Sequence, residues 1–427
     1  MSLPILPVNW RSSRVILLVF FLTRLLGVFL ALHPQVYTGF AENDVIGDPT
    51  LYLQWAMAII DGRQTPYREV PIEYPPAVLP FIVAPILPRP RPPYLQGFVG
   101  LMVLVDAAGF VGLLRLRQRW GGLPGPWLWA LGVPLLGPIS WTRLDMIPAV
   151  ATIWGLERAA ASRWGMAGAF LVFGALAKVY PGLLLPAVWF IAPRRGRVAI
   201  GVAATVTLCL LPFITSLQEL VSSVAGYHLN RGIQFETLWS NGLLVARTLG
   251  YEVTVQFTFG ANHVFSTVSP ALKQFSTILA MTGVAIESWL AFRIRGRGDS
   301  QALAVILFAA LAWLLVAGSV LSAQFILWVI ALGAAAACTS YSRVYGPVLL
   351  ILPTALLTQL LYPFAYSYLR RGSLAALVAF TARNILLVWI AGWALLVAYA
   401  CVTRPPSDAE QSRHAAGQGN DHVSGST

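Results

Sequence analysis

The chain is cut into apolar runs, many of them about 20 residues long. This spacing constrains the fold more than any other feature. A helix rises about 1.5 Å per residue, so about 20 residues cross a hydrocarbon core about 30 Å thick. Backbone N–H and C=O groups in lipid find no water, so a span must satisfy its own hydrogen bonds, as a helix does. A transmembrane β-barrel would show alternating rather than continuous apolar runs. Of the 427 residues, 57% are hydrophobic and 11% charged, and the mean hydropathy is +0.70. The expected fold is all-α, a polytopic helical protein of the cell membrane. Cys209, Cys338 and Cys401 all lie in apolar runs; their odd number and the lack of a C-x-x-C pair oppose a disulfide framework or a zinc site.

Charge orients the spans. The net charge of +12 reads as an excess of Lys and Arg in cytoplasmic loops. No basic stripe with interleaved aromatics suggests a nucleic-acid partner. Arg11 and Arg14 precede the first run, residues 15–32, and place the N-terminus in the cytoplasm. That run is too long for a signal-peptide core and lacks a small-residue cleavage site, so it is a retained span. The loop after it is then extracytoplasmic. The run at 95–114 ends in the basic segment 115–119, so it returns. Residues 76–87, broken by Pro80 and Pro85, are then re-entrant or interfacial rather than spanning. Carried through the remaining basic clusters, the count gives about twelve spans with both termini inside. Residues 165–177 and 181–191 form a short hairpin, and 215–273 a long outer loop. Arg370 and Arg371 fall outside, against the charge rule. Residues 1–402 form the membrane domain, and 403–427 a polar, disordered cytoplasmic tail. The chain shows no internal repeat, which weighs against a transporter.

The first outer loop holds six of the 17 acidic residues: Glu42, Asp44, Asp48, Asp61, Glu69 and Glu73. Leu51, Trp55 and Ile59 recur every four residues, so the segment after Asp48-Pro49 reads as a short amphipathic interfacial helix, with Asp48 as N-cap. The same topology collects most of the other unusual polar residues on this side. They are Tyr52, Glu73 and Tyr74; Arg143 and Asp145 in SWTRLDMIP; Lys178 and Tyr180 in AKVYP; His228, Arg231, Gln234 and Glu236 in YHLNRGIQFETLW; and Gln324 in SAQFILW.

Such a set suits glycosyl transfer from a lipid phosphate. A carboxylate, Asp48 before Asp44, takes the proton of an acceptor hydroxyl. Lys178, His228 and Arg231 meet the charge of a leaving phosphate. His228 and Arg231, three apart on a possible helix, would face one site. Simpler readings stand beside these: Lys178 snorkelling to the interface, and Arg143 pairing with Asp145. Arg24 and Asp106, each inside an apolar run, are expected to neutralise one another.

The motifs GDPTLY, DGRQTPY, EYPP, TRLDMIPA, AKVYP, YHLNRGIQFETLW and SAQFILW, in this order over residues 14–400, resemble the GT-C superfamily of polytopic glycosyltransferases and, within it, glycosyltransferase family 87. The family includes polyprenyl-phosphate-mannose-dependent α-mannosyltransferases of actinobacteria. The resemblance implies a polyprenyl-phosphate sugar as donor and inverting transfer on the extracytoplasmic side. It further implies Asp48 as general base and His228 and Arg231 at the donor phosphate; the acceptor, a glycolipid or a lipid-linked glycan, is not fixed by it. The segment TRLDMIP departs from a Gly-Gln-Val-Asn type common in the family, which leaves the acceptor open. The sequence shows no metal-ligand cluster, so no metal or other cofactor is expected. The competing reading is a carrier or flippase for lipid-linked sugars, which would line a midplane path with charge rather than gather it on one face.

Overall fold

The computed structural model describes residues 10–38, 47–88 and 93–403, apart from the side chains of residues 10–13, 37–38 and 227–230. Asp44 and the tail from residue 404 lie outside the described residues. Among those described, seven helical segments are long and apolar enough to cross a membrane: Arg14–Leu32, Tyr94–Trp120, Arg195–Gly226, Ser269–Arg293, Ser300–Ala317, Ser342–Arg370 and Leu374–Thr403. Shorter apolar helices cover Pro76–Ile86, Trp164–Ala175, Tyr180–Ile191 and Ala323–Ala337. The chain is a helical membrane protein.

Burial sorts these helices into layers. Ser300–Ala317 and Ile326–Ala337 are almost wholly buried and form the centre of the bundle. Arg14–Leu32 is peripheral: Leu18, Phe21, Leu22 and Leu26 are more than half exposed, an apolar face suited to lipid. The helix keeps one polar anchor inward. Arg24 makes a two-pronged ion pair with Asp106, at 2.9 and 3.1 Å. Trp129 and Trp141 donate their indole N–H groups to the same carboxylate at 2.7 and 3.0 Å. The expected Arg24–Asp106 pair is thus present, and it joins four segments.

The helix Met146–Ala160 carries charge at both ends. Asp145 stands before its first turn. Near its last, the fully buried Glu157 takes Arg158 and, at 3.5 Å, Arg119. With about 18 Å between the two ends at 1.5 Å per residue, the charged groups form two separate clusters.

The expected long outer loop is folded. It contains helices Leu217–Asn230 and Leu238–Thr248 and three strands, β1 (Ile233–Gln234), β2 (Thr254–Thr258) and β3 (Ala261–Phe265). The strands form one antiparallel sheet in the order β1-β3-β2. The sheet corrects the all-α expectation. Its hairpin turns on Phe259 and Gly260, both at positive φ (49° and 67°), as a two-residue type I′ turn requires. The unit is tied to the bundle by hydrogen bonds from Ser223 to the Ile72 carbonyl, from Trp239 to the Ala317 carbonyl, and from Asn241 to Thr381. Arg247 donates to the carbonyl of Arg370, which puts the exceptional Arg370 and Arg371 at the same end as this unit.

Thr50 and Gln118 are both exposed. In a background free of native cysteines, single cysteines at these positions are expected to label from opposite sides of intact cells. Labelling of both from outside would overturn the span assignment.

Candidate active site at one end of the bundle

Asp48 lies in the first turn of the helix Gly47–Ile60. Tyr52 is four residues on, one turn later on the same face. It is fully buried and donates its hydroxyl to Asp48 Oδ2 at 3.2 Å. The hydroxyls of Tyr52 and Tyr74 are 3.3 Å apart. Asp48 also makes an ion pair with Arg143, with its own side chain 31% exposed and that of Arg143 9%. Asp48 is therefore the exposed member of an otherwise buried pair, and open to a ligand.

Arg143 follows the four-residue helix Ile139–Thr142, and its extended backbone (φ −127°, ψ 154°) ends that helix. Its guanidinium reaches Asp48 and the hydroxyl of Tyr362, at 3.3 Å from the latter. Asp145 turns instead to Lys178, whose ammonium donates to both carboxylate oxygens at 2.8 and 3.0 Å. The suggestion that Arg143 and Asp145 pair with each other is thus corrected: each finds a partner on another segment. Lys178 sits in the turn between two short apolar helices, as expected, but it does not snorkel. It is held over the rings of Phe325, Trp328 and Tyr74 at 4.8, 5.3 and 5.4 Å. The ring faces and the Asp145 carboxylate oppose, without cancelling, the burial that disfavours its charge. Tyr180 and Phe325 each stack on Trp328 at 4.0 Å. Gln324 precedes Phe325 in the same turn, and Glu73 precedes Tyr74; both are half-buried.

Arg231 is the first residue past the helix Leu217–Asn230, in extended conformation. The helix ends before it, so His228 and Arg231 do not share a helical face, which corrects that expectation; the side chain of His228 lies outside those described. Arg231 is buried, and it lies close enough to act electrostatically on both Lys178 and His263. Gln234, on β1, pairs with His263 on β3 and hydrogen-bonds to Ser322. His263 was not singled out in the sequence. It is fully buried, contacts Thr258 through Nδ1 at 3.0 Å, and has no partner at Nε2 among the described residues. Burial, and then the charge of Arg231, push its pKa down to about 4, so it is neutral at pH 7.

Glu236 is half-buried on the segment after β1. Burial raises its carboxyl from 4.5 to about 7, against the pull of Arg383 and Arg143. A raised carboxyl holds its proton more tightly in the folded protein. The contribution to stability therefore falls as pH rises from about 4.5 to about 7 and is level above that, by up to about 3 kcal/mol. Wild type should lose melting temperature relative to Glu236→Gln across that window; parallel curves for the two would refute the assignment. Arg383 was also missed. It is 1% exposed on the helix Leu374–Thr403 and donates Nη2 to the Glu236 carbonyl at 2.7 Å.

The candidate residues thus converge at one end of the bundle, on Arg143, which acts on Lys178 to one side and Glu236 to the other. Fold and site define a polytopic helical membrane protein with a cluster of charged and aromatic side chains at one end. No family model matches the chain, and no curated protein matches it. Among solved structures, the chain is similar to the Archaeoglobus fulgidus oligosaccharyltransferase in its apo form, at 11% identity and a TM-score of 0.43. The match covers 95% of this chain and 60% of that one, so the chain spans less than two thirds of the length of that enzyme.

Proposed function

We propose that the protein is a membrane glycosyltransferase of the GT-C type with about twelve spans, the short helices Pro124–Leu135, Met146–Ala160, Trp164–Ala175, Tyr180–Ile191 and Ile326–Ala337 crossing as well as the seven long ones, and Pro76–Ile86 not crossing. In this reading it moves a hexose, mannose first, from a polyprenyl-phosphate donor to a glycolipid or lipid-linked glycan, on the extracytoplasmic face and with inversion, as family 87 enzymes do.

The observation that supports it best is the charge inventory of the cluster. Among the described residues it gathers Arg143, Lys178, Arg231 and Arg383 against Asp48, Asp145 and Glu236. Glu73 lines the same site, so with every group ionised the four cations face four carboxylates, and the partly ionised Glu236 leaves the cluster near balance before a donor binds. A polyprenyl-phosphate sugar is a phosphodiester and carries a single negative charge. The two ion pairs hold the cations in position before the donor arrives, and the donor phosphate then competes with the carboxylates for Lys178 and Arg143.

In the proposed reaction Asp48 takes the proton of the acceptor hydroxyl. The hydroxyl oxygen forms the new bond to the anomeric carbon. The bond from that carbon to the phosphate oxygen breaks, and its electron pair stays on the phosphate, where Lys178, Arg231 and His228 meet the charge. Tyr52, Tyr74, Glu73, Tyr180, Gln234 and Gln324 line the substrates. No metal takes part in this scheme, and activity should survive chelation with EDTA.

The test uses purified protein in lipid nanodiscs, labelled polyprenyl-phosphate mannose, glucose and arabinofuranose, and a membrane lipid extract. A labelled glycolipid from one donor is the expected result. No product from any donor, with donor movement across proteoliposomes instead, would replace the enzyme by a carrier.

A further inference from the structure

Arg383 is an anomaly the transfer scheme does not use. It stands nine residues into the helix Leu374–Thr403, whose 30 residues extend about 45 Å, more than a hydrocarbon core of about 30 Å requires. Its depth is therefore that of the charged cluster rather than the bilayer centre. Its plane is fixed twice, by the Nη2 bond to the Glu236 carbonyl and by the Phe380 ring 5.1 Å from the guanidinium carbon. The remaining nitrogens, Nε and Nη1, are buried and have no hydrogen-bond partner among the described residues. Unspent donors on a buried guanidinium are costly unless something uses them.

The nearest opposite charge is the carboxylate of Glu236. It acts on Arg383 electrostatically but makes no direct ion pair with it among the described residues. Glu236 is held short by its own backbone, since its carbonyl is the group that Arg383 grips. On the other side of Glu236 stand Arg143 and, through it, Asp48 and Tyr362.

We infer that Glu236 and Arg383 form the acceptor subsite, and that its ligand is the neutral polyol part of a glycan. This rests on the transferase reading and specifies which substrate lies where. A carboxylate accepts from a hydroxyl and a guanidinium donates to one, so two adjacent hydroxyls bridge the pair. Glu236 offers an acceptor oxygen whether ionised or protonated, and Arg383 offers donors, which suits the hydroxyls of an uncharged sugar. Lys178 and Arg231, the cations proposed for the donor phosphate, lie on the other side of Arg143 from Glu236. Asp48, paired to Arg143 between Lys178 and Glu236, stands where an acceptor hydroxyl and the anomeric carbon would meet.

The test is equilibrium binding to the full-length protein in nanodiscs, with empty nanodiscs as background and two labelled probes, a hexyl hexoside and hexyl phosphate. Arg383→Gln and Glu236→Gln are each expected to weaken hexoside binding about tenfold and leave hexyl phosphate within about twofold. Arg383→Lys, which keeps charge but loses the planar fork, should fall between. Hexoside binding unchanged in Glu236→Gln overturns the inference even if the Arg383 variants fail to fold. So does loss of hexyl phosphate binding in Arg383→Gln, or absence of hexoside binding to wild type. The two readings separate cleanly: no transfer from any donor, with hexoside binding still dependent on Glu236 and Arg383, removes the enzyme and leaves the subsite. Transfer that persists while hexoside binding ignores both residues does the reverse.

Discussion

Asp48→Asn is expected to lower turnover by about 10²–10⁴-fold while the protein stays folded and still binds donor. Asparagine keeps the size of the side chain and an oxygen for the Tyr52 hydroxyl, but cannot accept a proton at neutral pH. The ion pair with Arg143 complicates the reading, because the same change releases that guanidinium. Arg143→Gln separates the two roles. If Asp48 only held Arg143 in place, both variants would lose activity equally and with the same pH profile. If Asp48 is the base, Asp48→Asn removes the acidic limb of the pH profile and Arg143→Gln moves it upward, since the carboxylate loses its cation. Asp48→Glu should recover little, as a displacement of about 1 Å can itself cost about 100-fold. A fully active Asp48→Asn would send the search for the base to Glu73 and Asp145.

Much of this cluster could be read from the chain because charge inside apolar sequence is expensive and therefore informative. Lys178 between two short apolar helices, and Arg24 with Asp106, stand out in the sequence by that rule. Arg383 obeys the same rule within residues 378–400, but a single charge in a run otherwise long enough to span gives a faint signal. His263 had a weaker signal: two five-residue segments about the Phe259-Gly260 turn that together read as a hairpin. Partners were less legible than residues. Arg143 and Asp145 are neighbours in sequence, so pairing them was the local answer. In the structure the extended backbone at Arg143 ends one helix and Asp145 starts the next, and each side chain meets a segment that sequence distance does not reveal. The break of the helix at Asn230 likewise separates His228 from Arg231, although their spacing suits a shared face.

The buried Arg24–Asp106 pair should dominate stability as Asp48 dominates turnover. Asp106→Ala is expected to cost about 3–5 kcal/mol, because it leaves the Arg24 guanidinium, 4% exposed, without its counter-charge in a low-dielectric interior. Two further donors lose their acceptor at once, the indole N–H groups of Trp129 and Trp141, at about 1–3 kcal/mol each if nothing replaces it. The residual bond from Arg24 to the Ala130 carbonyl, at 2.7 Å, satisfies one nitrogen but no charge. Asp106→Asn should be nearly as severe: one oxygen remains for an indole, yet the amide group points N–H at N–H and carries no negative charge. Removing both ions tests whether the cost lies in the charge left behind. Arg24→Met with Asp106→Leu should recover most of the melting temperature lost by Asp106→Ala, since breaking a buried pair is far costlier than replacing it with apolar groups. The expected order of melting temperatures in detergent is wild type, then the double variant, then Asp106→Asn and Asp106→Ala. A double variant no more stable than Asp106→Ala would mean that the tryptophan bonds, rather than the ion pair, hold these four segments together.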